Sequence, residues 1–535
     1  MKKQFFLWAS ALLLAASASA EMNDDHDRDH NNRPPPPLYD EPYRPQYHFS
    51  PPMHFMNDPN GEVYFNGTFH LYYQYNPTQL VAGNQAWGHA FSTDLIHWKN
   101  AVPQIAIPES LTPPLNGQIF TGSAVVDSNN TSGFFTGHPD QALVAIYTLN
   151  QPTREVQNVA YSLDNGLTYT NFSGNPVLNS PTGDNPNFRD PYVFFYAPTN
   201  SWIMSVALPR AHQVLIYRST DLIHWGPLPI STFGPAGIDG FQWETPNLFQ
   251  VPVQGTNQKK WVLMVGINPG APLGGSIDEY FVGNFDGTTF TADDTVARLT
   301  DFGKDFYAAQ VYNNDPLGRA VVVGWMSNWQ YTQVVPTTPW RGNFTIPRVL
   351  SVLQNKNQTQ TGGLLVQTPI SFDSLHDKTL FNGSAQVSDG SPLKISLRHN
   401  GSFEFTTTLV AQPTPGLQQQ LLNINISNSE GETVTVGYDW AQGQVYVNRG
   451  DTDGFINPFF TDKFSAWEQN ADNSIKLHVF VDRATLEVFV DDGVQVCSTS
   501  FFMKHGPPKE MELEAVNNSV SVQNLTAYSL KSIWR

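Results

Sequence analysis

The sequence predicts an all-β protein with a β-propeller followed by a β-sandwich. No long stretch of its 535 residues has helical periodicity, and short alternating runs are broken by 39 glycines and 40 prolines. A seven-residue segment, STDLIHW, occurs twice, at 92–98 and at 219–225. From about residue 375 a different alternating pattern begins. The length also favours two or more domains.

Residues 1–20 have the pattern of a secretory signal peptide. Lys2 and Lys3 precede an apolar run at 5–16, and the small residues of ASA at 18–20 suit a cleavage site. A membrane anchor is the alternative, but the apolar run is too short for a comfortable span. No other long apolar run exists, so we expect a secreted, extracellular protein that does not enter the membrane.

Residues 21–46 are predicted to be a disordered, proline-rich leader. This stretch is acidic and ends in four prolines at 34–37. The HDRDH segment at 26–30 could in principle bind a metal ion, but nothing near it would hold the ligands in place. A solvated tail without a metal is the favoured interpretation.

Residues 47–355 are predicted to form the propeller. The STDLIHW repeat and the related SLDNGLTY segment at 162–169 each combine a polar turn with an aromatic residue that could begin the next strand. A unit repeated among β-segments is typical of propeller blades. We expect a linker at 356–372, around a polar QTQTGG segment.

Residues 373–535 are predicted to form the sandwich. Apolar residues alternate from Ile475 to Val481 and again from Leu486 to Val490, and a DDG turn follows at 491–493. This pattern indicates a hairpin of an antiparallel sheet. Exposed hairpin edges make a homodimer plausible.

The charge excludes some partners. The formal net charge is −18, and it becomes −20 when the signal peptide, with its two lysines and no acids, is removed. Such a surface repels nucleic acid and anionic membranes, so neither is an expected partner. A neutral small molecule remains a suitable substrate.

Eleven Asn-x-Ser/Thr sequons follow the predicted signal peptide, which favours a glycosylated secreted protein. The candidate glycosylation sites are Asn66, Asn129, Asn130, Asn171, Asn343, Asn357, Asn382, Asn400, Asn425, Asn517 and Asn524.

Three acidic residues lie in distinctive motifs: Asp58 in MNDPNG, Asp190 in FRDP and Glu244 in FQWETP. Taken singly, Asp58 suits a turn, Asp190 suits an ion pair with Arg189, and Glu244 suits either a functional group or a strand edge. Together they lie beside predicted strand ends and near aromatic residues that could stack on sugars. A retaining glycosidase needs one ionised and one protonated carboxyl group at the same bond.

The surroundings of each acid predict its role. Trp243 should desolvate Glu244 and raise its pKa, which suits a general acid. Turn amides and Asn57 should hold Asp58 ionised, which suits a nucleophile. Asp190 beside Arg189 should stay charged and favour a developing oxocarbenium ion.

The chain resembles glycoside hydrolase family 32, which contains invertases, inulinases and fructosyltransferases. The resemblance rests on motifs that span nearly the whole mature chain in the family's order. They are PQYHFSP (45–51), MNDPNG (56–61), YQYNP (73–77), WGHA (87–90), FTGSA (120–124), the FRDP segment, KDFYA (304–308), GWMSNW (324–329) and VDRATLEVF (481–489).

The resemblance implies a five-bladed β-propeller joined to a β-sandwich. It implies cleavage of β-fructofuranosides such as sucrose with retention, by Asp58 as nucleophile, Asp190 as transition-state stabiliser and Glu244 as acid/base. It implies no metal or organic cofactor. The residues implied to line the fructose pocket are Asn57, Gln74, Trp87, Phe120, Ser123, Arg189, Asp305, Tyr307 and Trp325.

One position departs from the family pattern, because Thr245 replaces the cysteine of the common Glu-Cys-Pro motif. Its hydroxyl could donate a hydrogen bond to Glu244 and change the handling of acceptors. The balance of hydrolysis and transfer, and the choice of sucrose, inulin or levan, depend on loops such as 80–85 and 107–118. The alternatives are an exo-inulinase or levanase, an inverting arabinanase-like hydrolase, and a fructan-binding lectin.

Overall fold

Residues 38–109, 116–354, 362–397, 401–468 and 470–534 are described by the structure, which is a computed structural model. Within them, strands dominate, and none of the helical segments is long or apolar enough to cross a membrane. The prediction of an all-β fold is confirmed. The helical segments are 3-10 turns at Ala197–Thr199, Pro209–Ala211, Thr332–Val334, Asp373–Leu375 and Asp491–Gly493.

The N-terminal part of the described chain contains five sheets, in which neighbouring strands are antiparallel except for one short parallel pair in the first sheet. The first contains β1 (His54–Phe65), β2 (Thr68–Asn76), β3 (Ala86–Ser92) and β4 (Lys99–Ile107). The second contains β5 (Gln118–Val126), β6 (Leu143–Gln151), β7 (Arg154–Tyr161), β8 (Thr170–Asn171) and β9 (Leu178–Asn179). The third contains β10 (Arg189–Tyr196), β11 (Ser201–Leu208), β12 (Gln213–Ser219) and β13 (Ser231–Phe233).

The fourth sheet contains β14 (Trp243–Pro252), β15 (Lys259–Ile267), β16 (Ile277–Phe285) and β17 (Phe290–Ala292). The last segments of this part are β18 (Tyr307–Val311), β19 (Val321–Trp325), β20 (Trp340–Arg341), β21 (Arg348–Leu353) and β22 (Leu364–Pro369). Four of them form the fifth sheet, whereas β20 pairs in parallel with β1.

The five sheets close into a ring. The first strand of each sheet lies next to the first strand of the following sheet, and β18 lies next to β1. The backbone N–H of Asn313 donates to the carbonyl of Glu62 at 2.9 Å, and the N–H of Tyr64 donates to the carbonyl of Asn313 at 3.0 Å. The Asn313 side chain also donates to the carbonyls of Ala124 and Val193. This ring is a β-propeller.

The STDLIHW repeat forms the turn after the third strand of the first and third sheets. Asp94 and Asp221 each accept backbone N–H groups two and three residues further along the chain. Asp164 makes a related turn in the second sheet. Asp286 caps the corresponding turn of the fourth sheet, a copy too altered to be recognised in the sequence. The prediction that the repeat marks propeller blades is confirmed.

The C-terminal part of the chain forms two six-stranded sheets. The first has the order β23 (His376–Ser388), β34 (Ser519–Leu530), β25 (Ser402–Ala411), β30 (Ser474–Asp482), β31 (Thr485–Val490) and β32 (Gln495–Ser500). The second has the order β24 (Leu393–Ser396), β33 (Glu510–Val516), β26 (Leu421–Ser427), β27 (Thr433–Asp439), β28 (Gln444–Asp451) and β29 (Lys463–Trp467).

Alternating side chains fill the space between these two sheets. In β26, for example, buried and half-buried residues alternate along the whole strand. Phe405, Ile424, Val436 and Val488 belong to one buried apolar cluster, which also contains Cys497. The predicted sandwich is therefore confirmed.

The propeller and the sandwich share a buried charged network. His48 lies between Asp482 and Glu487, with both nitrogen–oxygen distances at 2.9 Å. Burial disfavours the charged imidazole, but the two carboxylates outweigh it and raise the pKa of His48 to about 9. Arg348 pairs with Glu487 at 2.5 Å and with Asp301 at 3.4 Å. Apolar side chains from both domains surround this network.

The predicted boundary between the domains is wrong. The propeller extends beyond residue 355, because β22 is the outer strand of the fifth sheet and pairs with β21. The linker placed at 356–372 therefore shrinks to the short connector between Pro369 and β23. The polar segment before residue 364 has the composition of a linker, but the apolar strand β22 follows it directly. Residues 355–361 lie outside the described residues.

The predicted disordered leader at 21–46 is wrong for residues 38–46. Arg44 is fully buried, donates to Glu41 at 2.9 Å and places its guanidinium 3.6 Å from the centre of the Trp340 ring. A buried ion pair stacked on an aromatic ring fixes this segment on the propeller. The signal peptide, the HDRDH segment and the four prolines lie outside the described residues.

The sequons differ in accessibility. The Nδ2 atom of Asn343 is buried, so this sequon does not suit a glycan in the folded protein. Asn357 and Asn400 lie outside the described residues. The exposed candidates are Asn66, Asn129, Asn382, Asn517 and Asn524, and the half-buried ones are Asn130, Asn171 and Asn425.

Candidate active site

A cavity of about 440 Å³ lies at one end of the propeller, where the first strands of the five sheets begin. Its volume is within the usual range of ligand pockets, roughly 300–1,000 Å³. It is lined by Asn57, Asp58, Gln74, Ala82, Gly83, Gln85, Gln118, Phe120, Thr121, Glu155, Pro186, Arg189, Asp190, Glu244, Asn268, Tyr307 and Trp329.

Each of the five innermost strands has an irregularity near its start, at or directly after a residue that lines the cavity. In β1, two residues bulge opposite Gln74, and equivalent register shifts occur in β5, β10, β14 and β18. A bulge bends the strand and changes the direction of its side chains. Asp190, Thr245 and Ala308 have positive φ angles of 66°, 47° and 53° at these places.

Asp58 is held by side chains from two blades. Its Oδ2 accepts a hydrogen bond from the Thr121 hydroxyl at 2.7 Å, and its Oδ1 accepts one from Asn57 Nδ2 at 3.0 Å. Gln85 donates to Asn57 at 3.1 Å and fixes the orientation of that amide. Burial raises the pKa of Asp58 to about 6, the two hydrogen bonds lower it, and the charge of Glu244 raises it further.

Glu244 accepts three hydrogen bonds. Arg189 Nε donates to its Oε1 at 3.0 Å, while Asn268 and the Tyr307 hydroxyl donate to its Oε2 at 3.1 and 2.5 Å. Trp243 is fully buried on the opposite face of the strand, where its indole donates to a backbone carbonyl. The predicted desolvation of Glu244 by Trp243 is therefore wrong, because successive strand residues face opposite sides.

Arg189 does not pair with its neighbour Asp190 as predicted. Its guanidinium bonds to Glu155 at 2.8 Å and to Glu244 at 3.0 Å. Asp190 instead accepts the backbone N–H of Thr245 at 2.9 Å. Burial raises the pKa of Asp190 well above its ordinary value, and Arg189 only partly offsets this effect. The charges of Glu244 and Asp58 act on Asp190 in the same direction as burial, and its ionised state stays a prediction.

Thr245 does not donate to Glu244 as predicted. Its Oγ1 is buried without a hydrogen-bond partner among the described residues and faces Gly266, where an added Cβ would lie 2.9 Å from it. A β-branched residue with a positive φ is strained. Thr245 acts on the cavity through its backbone N–H, which holds Asp190.

Four residues predicted to line the pocket lie behind its wall. The indole of Trp87 donates to the carbonyl of Phe120 at 3.0 Å, and the hydroxyl of Ser123 accepts the N–H of Val193 at 2.9 Å. Trp325 is fully buried, and its neighbour Trp329 takes its place at the cavity.

Asp305, the fourth, is also fully buried and pairs with Arg449 of the sandwich at 2.9 Å. The pocket prediction is therefore wrong for Trp87, Ser123, Asp305 and Trp325. A strand turns alternate residues away from a surface, and motif membership alone does not show which ones.

The cavity also contains residues that were not predicted. Thr121 and Trp329 lie inside recognised motifs, so their motifs were the available signal. Glu155 and Asn268 lie in segments with no recognisable motif, and only the fold brings them to Arg189 and Glu244.

Only one group among the described residues brings three metal-ligating side chains together, and it lies in the sandwich at Asp373, His376 and Glu404. The cavity carboxylates belong to no such group.

A cavity with several carboxylates at the end of a β-propeller suits acid–base cleavage of a neutral, hydroxyl-rich substrate, the chemistry of glycoside hydrolases. Comparison with known proteins agrees. Residues 48–369 match the family model "Glycosyl hydrolases family 32 N-terminal domain", and residues 356–529 match "Glycosyl hydrolases family 32 C terminal".

Two curated relatives and one solved structure illustrate the similarity. An extracellular exo-inulinase of Meyerozyma guilliermondii is 40% identical over 506 residues, covering 92% of this chain and 96% of the relative. An invertase of Schizosaccharomyces pombe is 40% identical over 514 residues, covering 93% and 86%. The crystal structure of an exo-inulinase from Aspergillus awamori has a TM-score of 0.84 and 34% identity, covering 93% of this chain and 100% of the other. The chain belongs to glycoside hydrolase family 32 and is a glycoside hydrolase that acts on β-fructofuranosides.

Proposed function

We propose that this protein is a secreted, retaining β-fructofuranosidase that cleaves sucrose and related β-fructofuranosides through a covalent fructosyl-enzyme. Asp58 attacks the anomeric carbon of the fructosyl unit while Glu244 protonates the departing oxygen. Water activated by Glu244 then releases fructose. The observation that carries the proposal is that Asp58, Asp190 and Glu244 line one cavity, where the charge of Glu244 acts on both other carboxylates.

The hydrogen bonds around the two principal acids suit these roles. Thr121 and Asn57 aim Asp58 and favour its ionised form. The Tyr307 hydroxyl faces Glu244 Oε2, and a hydroxyl can either donate or accept. Tyr307 can therefore keep its hydrogen bond whether Glu244 holds the proton or has given it away.

Asp190 has a different task in this proposal. Its carboxylate binds fructosyl hydroxyls and stabilises the positive charge that develops on the ring. Hydrogen bonds donated by substrate hydroxyls favour the ionised form of Asp190.

Substitution of the two principal acids tests the proposal. We expect Asp58→Asn or Glu244→Gln to lower kcat for sucrose by roughly 10³-fold or more, because each removes a group that reacts. Initial rates of glucose release measure this loss. Asp127→Asn is the matched control, since Asp127 is also buried but caps a turn away from the cavity. Near-normal sucrose cleavage by either cavity variant would refute the assignment.

An exo-inulinase or levanase activity is the second candidate, favoured by the relative named as an extracellular exo-inulinase. If another sugar occupies the acceptor position, the same intermediate yields a longer fructan. Product profiles at low and high sucrose, and rates on inulin and levan, separate these activities. Equal glucose and fructose indicate hydrolysis, excess glucose indicates transfer, and bound sugar without any product indicates a lectin.

Secretion and assembly belong to the same proposal. The signal-peptide pattern and the extracellular relative support export from the cell. The outer strand β29 carries Trp467, of which 66% is exposed, and such an edge suits pairing with a second copy. Light scattering after size exclusion measures the oligomeric state, and a monomeric mass would contradict the homodimer.

A further inference from the structure

The segment that leads into β18 follows an edge strand of the sandwich. The N–H of Phe302 donates to the carbonyl of Val496 at 2.8 Å, and the N–H of Asp305 donates to the carbonyl of Ser498 at 3.2 Å. Val496 and Ser498 belong to β32. The sandwich therefore sets the backbone path of the propeller immediately before β18 begins.

The Asp305 side chain fixes the end of this path. Its Oδ2 accepts hydrogen bonds from Arg449 at 2.9 Å and from the backbone N–H of Ser500 at 2.8 Å, and its Oδ1 accepts the Tyr331 hydroxyl. Arg449 is fully buried and is itself held by Thr499 at 2.7 Å. A charge-assisted network of this kind is strong and directional.

Tyr307 lies two residues after Asp305 and donates its hydroxyl to Glu244 Oε2 at 2.5 Å. Directly after Tyr307 in the chain, the backbone N–H groups of Ala308 and Ala309 both donate to the Asp278 carboxylate, at 3.1 and 2.8 Å. The start of β18 is thus fixed from both directions, by the sandwich on one side and by the fourth sheet on the other.

We propose that Asp305 and Arg449 are positioning residues for the cleavage reaction, which act by placing the Tyr307 hydroxyl against Glu244. This inference rests on the proposed acid/base role of Glu244. It gives the sandwich a part in catalysis, because Arg449, Ser498 and Ser500 belong to it although none of them lines the cavity.

A double-mutant cycle with Asp305→Asn and Tyr307→Phe tests the inference in the full-length protein. Asp305→Asn should lower kcat for sucrose by roughly 10- to 100-fold, since a shift of about 1 Å in a catalytic group has an effect of this size. KM should change little, because Asp305 lies behind the cavity wall. In the Tyr307→Phe background, Asp305→Asn should lower kcat less than threefold, because the hydroxyl that it positions is already absent.

Asp482→Asn provides the matched control. Asp482 is equally buried, belongs to the sandwich and pairs with the propeller residue His48 at 2.9 Å, and the other hydrogen bonds of its carboxylate join it to Gln46, Tyr47 and Ser402 rather than to the segment before β18. We expect Asp482→Asn to lower the unfolding midpoint as Asp305→Asn does, with kcat retained. If Asp305→Asn fails to fold, Arg449→Lys replaces it in the cycle, because the lysine keeps the charge and loses the branched hydrogen bonds.

The two possible failures are distinguishable. An equal loss of kcat on Asp305→Asn in both backgrounds, or no loss in either, would overturn the positioning role. Retained sucrose cleavage by Glu244→Gln would instead overturn the proposed function on which it rests.

Discussion

In the proposed mechanism Asp58 has to be ionised to attack carbon, yet it lies in a buried cavity with three other carboxylates. Desolvation raises its pKa to about 6, and the hydrogen bonds from Thr121 and Asn57 oppose this rise. If Asp58 is the nucleophile as proposed, these two hydrogen bonds set the lower pH at which its ionised form is available. A residue such as Thr121, which does not titrate itself, can thus control the pH range over which the enzyme is active.

Thr121→Val should move the acidic limb of the kcat/KM profile to higher pH. The substitution keeps the shape of the side chain and removes one of the hydrogen bonds that lower the Asp58 pKa. The variant should lose several-fold more activity than the wild type at pH 5 and approach it at pH 7.5. Thr291→Val, on an exposed outer strand, is the control. An unchanged acidic limb would show that Thr121 does not tune Asp58.

At the scale of strands, irregularities place the functional groups. A regular strand would turn successive residues to opposite sides, so Asp58 and Asn57 could not both serve the cavity. The bulge in β1 brings both there, and the bulges in β10 and β14 give Asp190 and Thr245 their left-handed backbones. The strain is concentrated where the cavity needs unusual directions.

Local chemistry made part of the site predictable from sequence. Turn residues, an acid beside an arginine and an acid that follows two aromatic residues marked Asp58, Asp190 and Glu244, all of which line the cavity. Their electrical surroundings were not predictable, since Arg189 bonds to the distant Glu155 rather than to Asp190. Sequence adjacency does not tell where a guanidinium points.

The fold was predictable to a similar extent. The STDLIHW repeat and the later alternation indicated blades and a sandwich, because both patterns arise from local turn and strand chemistry. The domain boundaries were harder to predict from the sequence. β22 follows a polar segment that resembles a linker, and Arg44 lies after a proline-rich leader but pairs with Glu41 against Trp340. Tertiary contacts determine whether such segments are ordered, and local sequence patterns do not show those contacts.

At the scale of the whole molecule, buried ionisable groups link stability to pH. The pKa of His48 is raised to about 9, so its favourable contribution is complete below its unfolded value of 6.5 and is lost as the pH rises through 9. Burial raises the pKa of Asp278 and Glu279 to about 8. The folded protein holds the protons of these two carboxyl groups to a higher pH than the unfolded chain does. Its free energy of unfolding therefore also falls as the pH rises towards 8. The three groups act in the same direction between pH 6.5 and 8.

We therefore expect the free energy of unfolding to decrease from pH 6.5 to pH 8. Lys304, whose pKa is lowered to about 8, opposes this trend only at higher pH. Urea unfolding at fixed ionic strength measures the effect, and Glu279→Gln should make the decrease smaller because it removes one of the titrating groups. Constant or rising stability over this interval would contradict the linkage.

The central claim is that Asp58 and Glu244 act on opposite sides of one fructosyl bond. Its most direct test is to trap the covalent intermediate, using Glu244→Gln with an aryl β-fructofuranoside whose leaving group needs no proton, followed by acid quenching and peptide mapping. A fructosyl adduct on the peptide that contains Asp58 is the predicted result. No adduct, together with inverted configuration of the first-formed fructose, or an adduct on another residue, would contradict the mechanism.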